Sequence, residues 1–316
     1  MDRPRIGVIG AGRRRQGLGR YIVRYLSEAG ADVTAISCAT GKSLHETETI
    51  LKENYRIQPH GYLSAEDLLR HELLDAVVIA SPTTTHGEYL ELALSAGLHT
   101  LCEKPFVYDS RAPTDLTQRI VAGFRKRNKV LLENVQWPYA LTAFRELHPK
   151  AFGPGLPVKD FHMLLCPSGE GIHLLVESLS HPISLLQAIA PGDQVAAQNI
   201  QFSSHDAQAS HITLRFDYVN SQDRIAVTVT FRQVPTQPRP AFITINGHKA
   251  DRIIQPVNYS MSLMDNNRTV PLPDPMNALI KDFVSAVAAT HTGSPARIDQ
   301  SIIPRMELFR QIVKAF

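Results

Sequence analysis

Cysteine is scarce in this chain of 316 residues: Cys38, Cys102 and Cys166 are the only three, and they lie far apart. An odd count without paired spacing argues against a disulfide framework or a cysteine-based zinc site, and it suits a reducing compartment. An excess of charge is missing too. With 33 Lys+Arg against 30 Asp+Glu the formal net charge is +3. A dedicated nucleic-acid binder usually shows a domain pI above about 9 and a clustered patch. The two basic runs, Arg13-Arg14-Arg15 and Arg125-Lys126-Arg127, fall in separate segments. No stretch approaches the roughly 18 apolar residues needed to cross a bilayer. The opening MDRPRIGVIGAG has one short apolar run followed by arginines, unlike the h-region and cleavage site of a signal peptide. The expectation is a soluble, cytoplasmic protein with neither nucleic acid nor membrane as partner.

What remains is ordinary globular material. Hydrophobic residues make up 43%, close to the roughly 45–50% of globular chains, and the length fits two domains of about 100–200 residues each. In the first half, short β-branched runs alternate with helical patterns. RIGVI (Arg5 to Ile9), Asp32 to Cys38, Asp75 to Ala80, HTLCEKP up to Pro105 and KVLLENV read as strands. Helical stretches of 10–15 residues separate them, and one ends at Gly97, a natural position beyond a helix C-terminus. That rhythm implies a parallel sheet covered on both faces. After about residue 140, HITLRFDYV and RIAVTVTFR alternate with period two, and Asn246-Gly247 between two further runs signals a hairpin. Two helical patterns close the chain. The expected fold is α/β: an N-terminal Rossmann-type doubly wound sheet over residues 1–139, then an α+β domain over 140–316. The second domain is built on an open, mainly antiparallel sheet, and the last helix packs back on the first domain.

Ile9-Gly10-Ala11-Gly12 follows the first strand and precedes a helix, the context a dinucleotide fingerprint requires. Glycines there let the backbone approach a pyrophosphate whose charge meets a helix N-terminus. Arg15 occupies the place of the third glycine, so Gly17 or Gly19 serves instead, in a longer loop. The end of the second strand, where an NAD site normally carries Asp or Glu for the ribose, reads Cys38-Ala39-Thr40-Gly41-Lys42-Ser43. With no carboxylate to repel a 2′-phosphate, and with Thr40, Lys42, Ser43 and one of Arg13, Arg14 or Arg15 to bind one, NADP(H) is favoured. NAD(H) is the alternative.

Glu103-Lys104-Pro105 follows the fourth strand, and Ser81-Pro82-Thr83-Thr84-Thr85-His86 the third. Both lie at the carboxyl edge where open α/β sheets bind ligands. Together with the Gly10/Gly12 loop, the helix to Gly97 and the closing helices, they make the chain resemble the Gfo/Idh/MocA oxidoreductases (glucose–fructose oxidoreductase, inositol dehydrogenase and relatives). The likeness is firm over residues 5–135 and looser beyond. It implies that Lys104 reaches the reacting oxygen beside the nicotinamide, with Ser81, Pro82, Thr83, His86 and Glu103 near the cofactor. The family's second signature, Asp followed four residues later by His, falls on Glu177 and His181. Residues four apart share a helix face, and an imidazole, with its ordinary pKa of about 6.5, suits a general base. Glu177 is one methylene longer than the family's Asp, and Ser184 stands where an acidic residue is common. Pro182 disfavours helix at His181, so a break or restart is expected there.

His173, Glu177 and His181 are too extended for one metal ion, at about 12 Å between the outer pair, and no metal is expected. Gln136 and Trp137, past the fifth strand, stand where a sugar or ring-shaped substrate could be lined, or where a hinge could pack. His86 stands equally between touching the ribose or nicotinamide and a background role, and Cys102 reads as a small core residue. The resemblance implies hydride transfer between nicotinamide and a carbinol carbon of a sugar, inositol or related small molecule. It also implies a homodimer or homotetramer formed through the second sheet. The same scaffold carries imine and linear-tetrapyrrole reductases and non-catalytic NADP(H)-binding regulators, which stay open as alternatives.

Overall fold

A strand made wholly of apolar residues must be covered on both sides; AVVI (Ala76 to Ile79) is one in the first half of the chain, and RIGVI is apolar after Arg5. The computed structural model describes residues 3–12, 18–108, 113, 115–204, 206, 208–256 and 259–316. By contacts it divides into two compact units, residues 1–134 with 276–303, and residues 135–275 with 304–316.

In the first unit, β1 (Arg5–Ile9), β2 (Asp32–Ser37), β3 (His60–Tyr62), β4 (Ala76–Ile79), β5 (His99–Cys102) and β6 (Leu131–Glu133) form one parallel sheet in the order β3-β2-β1-β4-β5-β6. That is the doubly wound order with its reversal between β1 and β4. All four side chains of β4 and all four of β5 are buried. The intervening helices are α1 (Gly19–Glu28), α2 (Gly41–Ile50), α3 (Ala65–His71), α4 (His86–Ser95) and α5 (Leu116–Lys126). α1 buries Ile22, Val23 and Leu26 on its inner stripe, and α4 stops before Gly97, whose φ is +69°. α2 runs on into a π-helical turn over Leu51–Tyr55, and neither this stretch nor β3 was expected from periodicity. The outer edge of β6 is covered by the segment before the last helix: Leu131 N donates to Arg297 O at 3.0 Å, and Asp299 N to Leu131 O at 2.9 Å.

In the second unit, eight strands follow the order β14-β13-β12-β11-β7-β10-β9-β8. They are β7 (Asp160–Leu165), β8 (Ala196–Ser204), β9 (His211–Val219), β10 (Arg224–Arg232), β11 (Ala241–Ile245), β12 (His248–Ile254), β13 (Met261–Met264) and β14 (Thr269–Leu272). Every pairing is antiparallel except β7 with β10. The remaining helices of the chain are α6 (Leu141–Leu147), preceded by a 3-10 turn over Trp137–Ala140, then α7 (Ile172–Ser178), α8 (Ser180–Ile189), α9 (Pro275–His291) and α10 (Ile302–Ala315). One face of the sheet carries the core, including Ile225, Val227, Val229 and Phe231 of β10. On the other face Arg215, Thr228, His162, Thr244 and Lys249 stand opposite one another across five strands. Asn246 and Gly247 take φ +50° and +78°, the pair of left-handed residues that a two-residue hairpin needs. Residues 276–303, with most of α9, group with the first unit, whereas the last helix, expected to return there, groups with the second.

His99 ties two strands of the first sheet through its side chain: Nδ1 accepts from Val130 N at 2.9 Å. Burial, helped by the positive charge of Lys129, pulls its pKa down to about 4. A neutral His99 is thus favoured by folding, and the unfolded chain takes up the proton first. Stability is fully present above about pH 6.5 and falls as the pH drops towards 4, by on the order of 2–3 kcal/mol from this group. Urea denaturation at stepped pH should show that loss, and His99→Gln should flatten the profile across this window.

Candidate active site

The crevice at the reversal of strand order is built first by backbone. Gly10 leaves β1 with φ +84°, and a Cβ there would sit 2.7 Å from both Cα and N of Ser81, at the end of β4. Gly10 N and Ala11 N both donate to Ser37 O, at 3.0 and 3.1 Å, which draws the ends of β1 and β2 together. A Cβ on Gly12 would meet Cys38 Sγ at 2.7 Å, and one on Gly19 would meet Ala11 O at 2.5 Å. Gly19, the first residue of α1, therefore packs where the missing third glycine was sought. Gly17, with Arg13, Arg14 and Arg15, lies outside the described residues. The first turn of α1 holds no acidic residue. A closely approached glycine loop leading into a helix N-terminus free of carboxylates fits the pyrophosphate of a dinucleotide.

Beyond β2 the polar residues are largely occupied. Thr40 Oγ1 accepts from Ser43 N at 3.1 Å, while Thr40 N donates to Ser43 Oγ at 3.3 Å, a reciprocal cap on α2. Cys38 is buried beneath Gly12 with its thiol pushed up by burial, so it is a packing residue. Lys42 is exposed in the first turn of α2, and no carboxylate occurs from Cys38 to Ser43.

Beyond β4, Ser81 is buried and Ser81 Oγ lies 2.7 Å from Thr85 Oγ1, which donates in turn to Pro82 O at 2.8 Å. Thr83 opens a short 3-10 turn before α4. His86 is 1% exposed, with Nδ1 2.9 Å from Pro105 O and Nε2 3.1 Å from Ser81 O. Both ring nitrogens meet backbone carbonyls, so the side chain ties the β4 loop to the β5 loop. On the β5 loop, Lys104 is half-buried and joined to Pro105 through a cis peptide bond. Glu103 beside it is buried and accepts from Asn134 Nδ2, at the end of β6. Cys102 is wholly buried, and burial followed by the Glu133 and Glu103 charges pushes its thiol well above the ordinary range. It is a packing residue of the sheet.

In the second unit the Glu177–His181 pair is divided between two helices. α7 ends at Ser178, α8 begins at Ser180, and Leu179 between them keeps helical angles (φ −63°, ψ −30°). The break therefore comes two residues before His181, because Pro182 in the first turn of α8 has no N–H for the carbonyl of Ser178. Both side chains are half-buried. Ser184 Oγ donates to His181 O at 2.8 Å, so the residue replacing an acidic one braces the backbone that carries the imidazole. Gly169 lies against the Glu177 carboxyl, where a Cβ would be 3.3 Å from Oε1. Among the described residues no group of three His, Cys, Asp or Glu side chains could hold a metal. Trp137 is buried, with Arg252 Cζ 5.3 Å from its ring centre, and Gln136 beside it is half-buried.

The profile of an oxidoreductase family with an NAD-binding Rossmann fold, GFO_IDH_MocA, matches residues 4–135. Over those residues, less than half of the chain, the sequence is similar to the Gfo/Idh/MocA oxidoreductases. A glycosyl hydrolase family 109 protein of Shewanella amazonensis is 32% identical over 139 residues, covering 43% of this chain and 30% of that protein. The match therefore spans under a third of the length of this relative. An inositol 2-dehydrogenase of Acidiphilium cryptum is 27% identical over 214 residues, 62% of this chain and 57% of its own. The solved structure of UDP-N-acetylglucosamine 3-dehydrogenase from Acidithiobacillus ferrooxidans has a TM-score of 0.69 at 23% identity, covering 100% of this chain and 98% of that one. At this identity the likeness is one of fold.

Two further residues at this sheet edge, Glu133 and Asn134, are buried and were not expected there. Their signal was a pair of polar residues inside KVLLENV, an otherwise apolar strand. No helix among the described residues is long and apolar enough to cross a membrane.

Proposed function

We propose that the chain is an NAD(P)-dependent dehydrogenase acting on a carbinol carbon of a sugar, an inositol or a related small molecule. One observation carries this reading: the glycine crevice after β1 and Lys104 after β5 stand at the same carboxyl edge of one sheet. A bound nicotinamide dinucleotide supplies the hydride acceptor, or the donor in the reverse direction. Gly10, Gly12 and Gly19 let the backbone close on its pyrophosphate, and the N-terminus of α1 faces that charge. The Lys104 ammonium donates to the substrate oxygen and stabilises negative charge developing on it. As the carbinol C–H leaves as hydride, a ring nitrogen of His181 takes the O–H proton, and it returns that proton in reduction. Glu177 hydrogen-bonds substrate or orients the imidazole. Glu103, held by Asn134, and His86, held by two carbonyls, fix the backbone on either side of Lys104.

NADP(H) is the favoured cofactor. The absence of a carboxylate from Cys38 to Ser43, the exposed Lys42 and the capped N-terminus of α2 support it. The half-exposed face of the second sheet, with Thr230, Leu164 and Phe242 in one row, supports pairing with a second copy of the chain. The hydrolase name of the Shewanella relative favours one second reading, in which the substrate is a glycoside. Release of the phenol from chromogenic glycosides, against a change in NADPH absorbance with free sugars and polyols, separates the two.

Three outcomes are expected. Lys104→Ala should lower turnover by about 10²-fold or more while cofactor affinity stays within a few-fold, since one charge-stabilising donor is worth that much; unchanged turnover would sink the assignment. Thermal shifts should be larger with NADP⁺ than with NAD⁺ at equal concentration, and the reverse order would refute the reading of residues 38–43. Light scattering at micromolar concentration should give a dimer or tetramer mass; a monomer alone contradicts pairing through the sheet.

A further inference from the structure

The central strands of the second unit bring three arginines to one place. β7 ends at Leu165, opposite Phe231 of β10 on one side and Ala241 of β11 on the other, and Ala241 stands opposite Arg252 of β12. The next residue of β7's path, Cys166, is therefore flanked by Arg232 and by the Arg239-Pro240 lead into β11, with Arg252 one strand further. The charges of all three guanidinium groups reach its thiol, which Arg232 hydrogen-bonds; they oppose burial, which raises the thiol's pKa. Arg252 Nη2 donates to Arg239 O at 2.9 Å, and the guanidinium lies over Trp137. Desolvation pulls the Arg252 pKa down to about 10.

Two of their N–H groups lack an acceptor. Nε of Arg239 and Nε of Arg252 are both shut off from solvent with no hydrogen-bond partner. Among the described residues none of the three arginines forms an ion pair with a carboxylate. Glu170, beyond the end of β7, accepts instead from Gln233 Nε2 at 2.9 Å. A buried N–H without an acceptor is costly and calls for an explanation such as an ion. Nε and the neighbouring Nη of a guanidinium form a planar fork that matches two oxygens of a carboxylate or phosphate. The position suits a substrate, because the Trp137–Ala140 turn beneath Arg252 packs on α8, the helix that carries His181.

We propose that Arg239 and Arg252 form a subsite for an oxyanion carried by the substrate, a phosphoryl or a carboxylate group, so that the substrate is an acidic sugar derivative. This rests on the reading of the second unit as the substrate-binding part of a dehydrogenase. Arg232 and Trp137 complete the subsite, the first adding charge and the second a flat wall that holds the Arg252 fork in plane.

Calorimetric titration of the NADP⁺-saturated protein with glucose 6-phosphate, uridine diphosphate, glucuronate and myo-inositol tests this. At least one of the three anions should bind, and Arg239→Gln and Arg252→Gln should each weaken it about tenfold or more. Arg252→Lys should recover part of the loss, and myo-inositol should be indifferent to all three variants. Preference for the phosphorylated probes or for glucuronate says which oxyanion the subsite takes. Arg239→Gln, on the half-exposed loop before β11, keeps the test open should Arg252→Gln not fold. No anion bound, or anion binding equal in wild type and Arg239→Gln, overturns the proposal. Turnover separates it from the reading beneath it. Acidic sugar derivatives oxidised with unchanged KM by the arginine variants would remove the subsite and leave the dehydrogenase. Anion binding lost in the variants, with no substrate oxidised by the wild type, would do the opposite.

Discussion

Two parallel strands that leave a sheet side by side, with their helices on opposite faces, bring their backbones into contact before they diverge. In this protein that contact is Gly10 against Ser81, and it admits no Cβ. The rest of the nucleotide edge is arranged around it. Ser37 O gathers the two amides after β1, Gly12 settles over Cys38, and Gly19 turns the chain into α1 against Ala11. From Ser81 the constraint passes outward through His86, whose ring touches the carbonyls of Ser81 and Pro105. Lys104 is therefore set by a backbone approach made on the far side of β4, and three strand ends behave as one rigid rim.

Much of this was legible in the residues themselves. Alternation in HITLRFDYV and RIAVTVTFR gave antiparallel strands with one buried face, and Asn246-Gly247 gave the hairpin of β11 and β12. The glycine loop and the Lys-Pro strand end were readable because backbone approach and strand termination depend on residue type at a fixed place. Other features depended on contacts between distant segments and left no such mark. DFHMLL is too short and too mixed to announce itself, yet it becomes β7, the strand at the middle of the second sheet, because β10 and β11 arrive much later to flank it. Thr40 and Ser43 looked like phosphate ligands, and hydroxyls at a helix start serve as caps just as readily. His86 looked as ready for a ribose as for the interior, and only the fold shows two carbonyls on either side of its ring. A proline marked the break near His181, but the missing amide acts on the carbonyl four residues earlier, so the helix parts at Leu179.

The second sheet divides its labour by face and by edge. Helices cover one side, where Tyr218, Phe231 and Ile243 are buried, and the other side carries the mixed row from Arg215 to Lys249. Near the end of β7 the alternation gives way to positive charge at the boundary of the core. A core that closes over guanidinium groups without carboxylates is locally less stable than an apolar one, and such local cost is where binding sites are commonly found. The same strand order that packs Leu165 between Phe231 and Ala241 also brings Arg252 against the Arg239 carbonyl and over Trp137.

The covering of β6 has a consequence for the order in which the protein can be completed. Its outer edge is bonded by residues 297–299, and most of α9 belongs to the first unit as well. Chains emerge from the ribosome N-terminus first, and domains tend to fold as they appear. Here the first five strands can pair early, but the sixth keeps a bare edge while some 140 further residues of the second unit are made. The dinucleotide-binding half is thus begun first and finished last, and a nascent chain halted within the second sheet would carry an unprotected strand able to pair with another chain.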